Sequence, residues 1–248
     1  TGPRHDGTGA CLCRVTRSGH RTLLDEGCPV HAHTAGLEVV AFSPCGQTLA
    51  TGGGAFTVIL WDAQTGKAEL MLEKLTDWVT SVSFSADGAR LASGSWDGFI
   101  RVWDAKTGAM LRAILHGSPV GWVHFSPTDS RRLASVGYDG TLKQWDVDSG
   151  ERRSRAEGST FSVFSPDGRM IATRGVPDGD SPSRHDVHLL EAETGAVAFR
   201  LVGEDQCRPT SAAWSLDGRK VASGSSDGTC RVWDASTGAL LRTIEPSA

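Results

Sequence analysis

Four Trp-Asp pairs, Trp61-Asp62, Trp103-Asp104, Trp145-Asp146 and Trp233-Asp234, punctuate the chain, and the first three tryptophans stand 42 residues apart. A fixed period constrains a fold more than composition does, because each unit must be one supersecondary element that buries its face against its copies. The 88-residue step from Trp145 to Trp233 leaves room for one more unit. Leu190-Glu191, followed by Thr194-Gly195, stands where its pair belongs. Five units result, at a period of about 43 residues, the length of a four-stranded blade.

Each unit divides into short strands and turns. In the second, Val79 to Phe84 alternates apolar and small polar residues, Ala86-Asp87-Gly88 makes a turn, and Arg90 to Ser95 forms the next strand. Asp97-Gly98 then leads into Phe99 to Trp103. Asp-Gly between alternating runs is a strong hairpin signal, because the turn needs a positive φ that glycine supplies without steric cost. Asp217-Gly218 and Asp227-Gly228 repeat the pattern in the fifth unit. A third turn follows every pair, at Thr65-Gly66, Thr107-Gly108, Ser149-Gly150, Thr194-Gly195 and Thr237-Gly238, and opens outer strands such as Met110 to Leu115 and Leu240 to Ile244.

The lines Val82-Ser83-Phe84-Ser85, Leu91-Ala92-Ser93-Gly94-Ser95 and Ile100-Arg101-Val102-Trp103-Asp104 resemble the WD40-repeat family. The resemblance runs from about residue 31 to residue 248 and implies an all-β propeller of four-stranded antiparallel blades, an architecture that limits exposed strand edges by radial repetition. The expected blades are 31–73, 74–114, 115–154, 155–200 and 201–248. The fourth is degenerate, with a long loop, 174–186, in place of an Asp-Gly turn. Residues 1–30 read as a partial blade with third and fourth strands only, through Asp6-Gly7-Thr8, the strand Ala10 to Val15, the turn Ser18-Gly19 and the strand Arg21 to Leu24. The expectation is therefore a chain that starts in mid-blade, a fragment of a larger, seven-bladed propeller.

Composition narrows the function classes. With 39% hydrophobic and 22% charged residues the chain can bury a core, and a net charge of −4 supplies no basic field for nucleic acid or an anionic membrane. Apolar runs such as Val39 to Phe42 fall far short of the roughly 20 residues a spanning helix needs. Six scattered cysteines do not make a disulfide framework, so a reducing, cytoplasmic setting is expected.

The resemblance also implies a hydrogen-bonded set in each blade: a His near its start, a Ser or Thr in the second strand, an Asp in the turn before the third, and the Trp. The third unit carries all four, His116, Ser135, Asp139 and Trp145. The first has His33, Thr51 and Trp61 but Gly54-Ala55 at the Asp turn. The second has Ser93, Asp97 and Trp103 with Leu75 for His, and the fifth has Ser223, Asp227 and Trp233 with Asp205 for His. Ser, His and Asp together invite a nucleophile reading. Their recurrence beside each Trp points instead to a structural network, so no catalytic residue is expected.

Other chemistry finds little support. His31 with His33, and His185 with His188, lack further ligands at metal spacing, so neither a metal nor another cofactor is expected. Cys11 and Cys13 would share a strand face as small apolar groups. Thr65-Gly66-Lys67 is a turn, since Trp61 occupies the place a phosphate loop gives to glycine.

The resemblance places the residue before the turn Asp, and the residue opening the first strand, on the ring end where partners dock. These are Trp96, Tyr138 and Ser226, then Trp78, Pro119 and Arg208. Trp, Tyr and Arg are enriched at binding hot spots, so Trp78, Trp96, Tyr138 and Arg208 form the candidate protein-binding set. The bland alternative is that Trp78 and Trp96 pack on each other within one blade. The expected function is a non-catalytic scaffold or adaptor for other proteins, working within a multi-subunit complex. A second class would make the chain a sensor or recruiting part of a larger signalling enzyme, a kinase or NTPase.

Overall fold

The computed structural model describes residue 33 and residues 35–157, 161–175, 186–202 and 209–245. The expected partial blade at 1–30, most of loop 174–186, Asp205 and Arg208 lie outside these residues. Among the described residues there is no helix, and so none long and apolar enough to cross a membrane.

Twenty strands form five four-stranded antiparallel sheets, each in chain order from first to fourth strand. The first sheet comprises β1 (Leu37–Phe42), β2 (Thr48–Gly53), β3 (Val58–Asp62) and β4 (Ala68–Leu72). The second comprises β5 (Val79–Phe84), β6 (Arg90–Ser95), β7 (Phe99–Asp104) and β8 (Met110–Leu115). The third comprises β9 (Val120–Phe125), β10 (Arg132–Gly137), β11 (Leu142–Asp146) and β12 (Arg152–Ala156). The fourth comprises β13 (Ser162–Phe164), β14 (Met170–Arg174), β15 (Val187–Glu191) and β16 (Val197–Leu201). The fifth comprises β17 (Pro209–Trp214), β18 (Lys220–Ser225), β19 (Cys230–Asp234) and β20 (Leu240–Ile244).

The Trp-Asp pair has two separate jobs at the end of each third strand. The indole turns back onto the second strand, where Trp103 Nε1 donates to Ser93 Oγ at 3.0 Å and Trp233 Nε1 to Ser223 Oγ at 3.0 Å. The carboxylate faces the following turn, where Asp104 Oδ1 accepts the amides of Lys106 and Thr107 at 3.0 and 2.7 Å. Gly108, at φ 71°, completes that turn in a conformation L side chains rarely adopt. In the fourth sheet Glu191 replaces the Asp and takes the Thr194 hydroxyl at 3.0 Å. The register shifts just before the Trp position in all five sheets, including Leu189/Leu190, so the blade keeps its shape where the Trp is lost.

The cores lie between sheets. Ala92, Ile100, Val102 and Ile114 of the second sheet interleave with Val120, Val123, Phe125 and Leu133 of the third. Ala134, Val136 and Leu142 meet Phe164, Ile171 and Leu190 in the next interface. The outer faces of the end sheets are bare by comparison. Val40 is 62% exposed where its register equivalent Val123 is 0%, and Ile244 is 50% exposed where Ile114 is 4%. Among the described residues, nothing covers these two faces.

Candidate functional site

Two sets of loops share one end of the sheets: the turns from second to third strand, and the crossings from each fourth strand to the next first strand. Backbone hydrogen bonds lace them together, from Trp96 N to Trp78 O at 3.0 Å, Tyr138 N to Pro119 O at 2.8 Å and His116 N to Gly98 O at 2.9 Å.

Beneath this end lies the expected hydrogen-bonded set. In the third blade Trp145 Nε1 donates to Ser135 Oγ at 2.8 Å, and Ser135 Oγ is 2.9 Å from His116 Nδ1. Thr141 donates its hydroxyl to Asp139 Oδ1 at 2.7 Å, so its oxygen is left to accept from His116 Nε2, 3.1 Å away. The proton therefore sits on Nε2, and the Ser135 hydroxyl donates to Nδ1. Asp139 itself is 3.9 Å from His116 Nε2, beyond hydrogen-bond reach, and Thr141 carries the link. A Cβ on Gly137 would fall 2.4 Å from His116 Nε2 and 2.6 Å from Asp139 Oδ1, so only glycine leaves room for this network.

Burial, with the nearby Lys143 ammonium, pulls the His116 imidazole down from 6.5 to about 4 against the opposing effect of Asp139. The imidazole is neutral at pH 7 and forms no ion pair with Asp139. Ser135 is fully buried, its oxygen taken up by Trp145 and His116, which leaves it no approach to a substrate.

The other blades keep parts of the set. His33 Nε2 lies 2.7 Å from Thr51 Oγ1, which also accepts from Trp61 Nε1 at 2.7 Å. Asp97 turns to Arg101 at 2.8 Å and to the Thr76 hydroxyl at 2.8 Å, while Leu75, in the His place, packs into the core. Asp227 accepts from Thr229 at 2.7 Å and lies 3.5 Å from Arg231. Arg101, Lys143, His188 and Arg231 hold one register position across four blades and are all buried, a feature legible only once the strands are aligned.

Above this network, the candidate aromatics come to the surface. The rings of Trp96 and Tyr138, from adjacent blades, stand 4.8 Å apart between centroids and tilt by 39°. The ring partner of Trp96 is thus in the next blade. Tyr138 lies over Gly121, and the Trp78 indole lies over Gly54, where an added Cβ would be 3.5 and 3.6 Å from the respective rings. Trp78, Trp96 and Tyr138 are all substantially exposed, Tyr138 most of all at 61%. Arg208 falls outside the described residues.

The structure adds one aromatic that sequence reasoning missed. Phe56 occupies the turn place held by Gly98, Gly140 and Gly228 in other blades, with φ at 57°, and its side chain is partly exposed. The signal was a Phe where the repeat has Gly, hidden because the turn had also lost its Asp.

Elsewhere, an open cleft of about 540 Å³ between the third and fourth blades is lined by Asp129, Arg132, Asp167 and Glu193, among others. Its charges are mutually engaged, since Arg132 contacts both Glu193 and Asp129. Among the described residues no three His, Cys, Asp or Glu side chains gather as metal ligands.

The family model for the WD40 repeat, described as WD domain, G-beta repeat, matches residues 27–62, 71–104, 110–146 and 198–234, more than half of the chain. The stretch between the last two matches holds the first three strands of the fourth sheet, where Leu190 stands for Trp. A search of curated proteins gives no match. WD40 repeats form domains that mediate protein–protein interaction, and proteins built from them are generally non-catalytic. With matching repeats and five four-stranded antiparallel sheets, the chain belongs to the WD40-repeat family.

Proposed function

We propose that this protein is a non-catalytic scaffold or adaptor that binds other proteins through the end of the blades bearing Trp78, Trp96 and Tyr138. It works in the cytoplasm as a component of a multi-subunit complex, without a cofactor and without direct contact with nucleic acid or membrane. The observation that carries the reading is the Trp96–Tyr138 pair, two large rings from different blades held together at the surface. Exposed aromatics of this size tend to weaken solubility unless a partner covers them, and Trp and Tyr lead the residues that dominate interface energies. The buried Ser135–His116 pair, already engaged on every polar atom, supports a structural rather than a catalytic role for the only Ser, His and Asp set identified among the described residues.

The test is a parallel affinity capture with the full chain and with a Trp96→Ser, Tyr138→Ser double variant, after both are shown to melt alike. Proteins retained by the parent and lost by the variant support the reading. Identical retention by both places binding on another surface.

A further inference from the structure

The chemistry around the exposed rings says what kind of partner fits them. Each of the three aromatics has an Asp as its chain neighbour: Asp77 before Trp78, Asp97 after Trp96 and Asp139 after Tyr138. These three carboxylates are not equivalent. Asp97 is neutralised from beneath by Arg101, at 2.8 Å with both side chains about nine-tenths buried. Asp139 keeps 40% of its side chain exposed, while Lys143, which feels its charge, is buried and donates to the His116 carbonyl. Asp77 takes only its neighbour's amide, Trp78 N, at 2.8 Å. The crossing that carries Asp77 adds exposed Glu73 and Lys74. Among the described residues of the turns and crossings that carry the rings, then, the carboxylates of Glu73, Asp77 and Asp139 stand against the Lys74 ammonium at the surface.

An aromatic face attracts a cation through the negative potential of its π system, and nearby carboxylates add to that attraction. The same charges repel phosphate and acidic side chains, so a nucleic acid stacked on these rings would lack the basic surround such sites have. Phe56, partly exposed, lies in the turn from second to third strand of the first blade, at the same end as the rings. Phe56 also holds a φ of 57°, in the left-handed region that bulky side chains rarely adopt.

Resting on the reading of this end as the docking face, we propose that the protein partner enters it with a lysine or arginine side chain. The cation lies on the Trp96–Tyr138 rings, and Asp139 and Asp77 balance its charge.

The experiment presents the full chain with three sets of short randomised peptides, basic, uncharged and acidic, fixed on one surface, at low and at physiological salt. Four proteins are compared: the parent, Asp77→Asn, Glu73→Gln, and the Trp96→Ser, Tyr138→Ser double variant, each confirmed as folded by its melting curve. The expected result is retention of basic peptides only, weakened by salt, and reduced about tenfold in Asp77→Asn and in the aromatic double variant. Retention of uncharged or acidic peptides that the double variant loses would overturn the cationic partner while leaving the docking face standing. Basic peptides held equally by the double variant would overturn both. Retention of no peptide of any set would overturn the inference as well.

Discussion

The Trp96 indole and the Tyr138 phenol ring, carried by neighbouring blades, meet 4.8 Å apart at the protein surface. Each ring sits next to an Asp that belongs to the network below, so surface and network share the same turns. A double-mutant cycle with Trp96→Ala and Tyr138→Ala should give a coupling of about 0.5–1 kcal/mol in thermal or urea unfolding, as for an aromatic pair partly open to water. A coupling of zero would mean that the two rings do not meet in solution.

Trp145 is used by the blade itself, 6% exposed and bonded to Ser135. Trp145→Ala empties that site and leaves Ser135 Oγ without its indole donor, so it should cost about 3–5 kcal/mol. Tyr138→Ala, in the same blade but at the surface, should cost under about 1 kcal/mol. Equal shifts in urea midpoint for the two variants would contradict the division between structural and exposed aromatics.

Phe56→Gly should raise stability by about 1 kcal/mol, because glycine adopts the φ of 57° without strain. The same change should weaken partner binding if Phe56 belongs to the docking face, the usual opposition between stability and function. Calorimetry of the variant decides the first point, and a fall in melting temperature would contradict it.

The pH dependence of stability follows from His116. Its imidazole is held down to about 4, whereas the unfolded chain takes up that proton near 6.5. Between these values the unfolded state binds more protons, so stability rises with pH. The contribution is fully present above pH 6.5 and is lost as pH falls toward about 4. Burial pulls His124 the same way. Carboxylates such as Asp139, held below their ordinary 3.8, act at lower pH and leave the interval from 6.5 down to about 5 to the imidazoles. Melting temperature should therefore fall across that interval, and fall less in His116→Gln. Parallel slopes for the two proteins would contradict the burial of a neutral imidazole.

Much of the fold was legible because the repeat writes its turns in glycine and its strand ends in Trp-Asp. The expected runs Val79 to Phe84, Arg90 to Ser95, Met110 to Leu115 and Leu240 to Ile244 coincide with β5, β6, β8 and β20. Even β15 was found from Leu190-Glu191 and its following turn. Contacts between blades were not legible, since they join residues tens of positions apart with no local pattern. Arg90 reaches Asp148 of the next blade at 2.8 Å, and Arg132 reaches Glu193, and neither pair has a signature in its own segment. Thr141 was missed as the link between His116 and Asp139 because the spacing of the larger residues suggests a direct bond. The Trp96–Tyr138 contact was missed for a similar reason: the two positions are equivalent in successive repeats, and only the packing of adjacent blades brings their rings together.

Docking of partners on the end that carries Trp78, Trp96 and Tyr138 would shield the backbone amides of the loops there. Hydrogen–deuterium exchange of the full chain, with and without a protein recovered by the capture described above, tests it most directly. Slowed exchange is expected in residues 73–78, 96–98 and 138–141, with the opposite turns at 85–89 and 126–131 unchanged. Protection confined to those opposite turns, or to the outer strands β8 and β12, would contradict it.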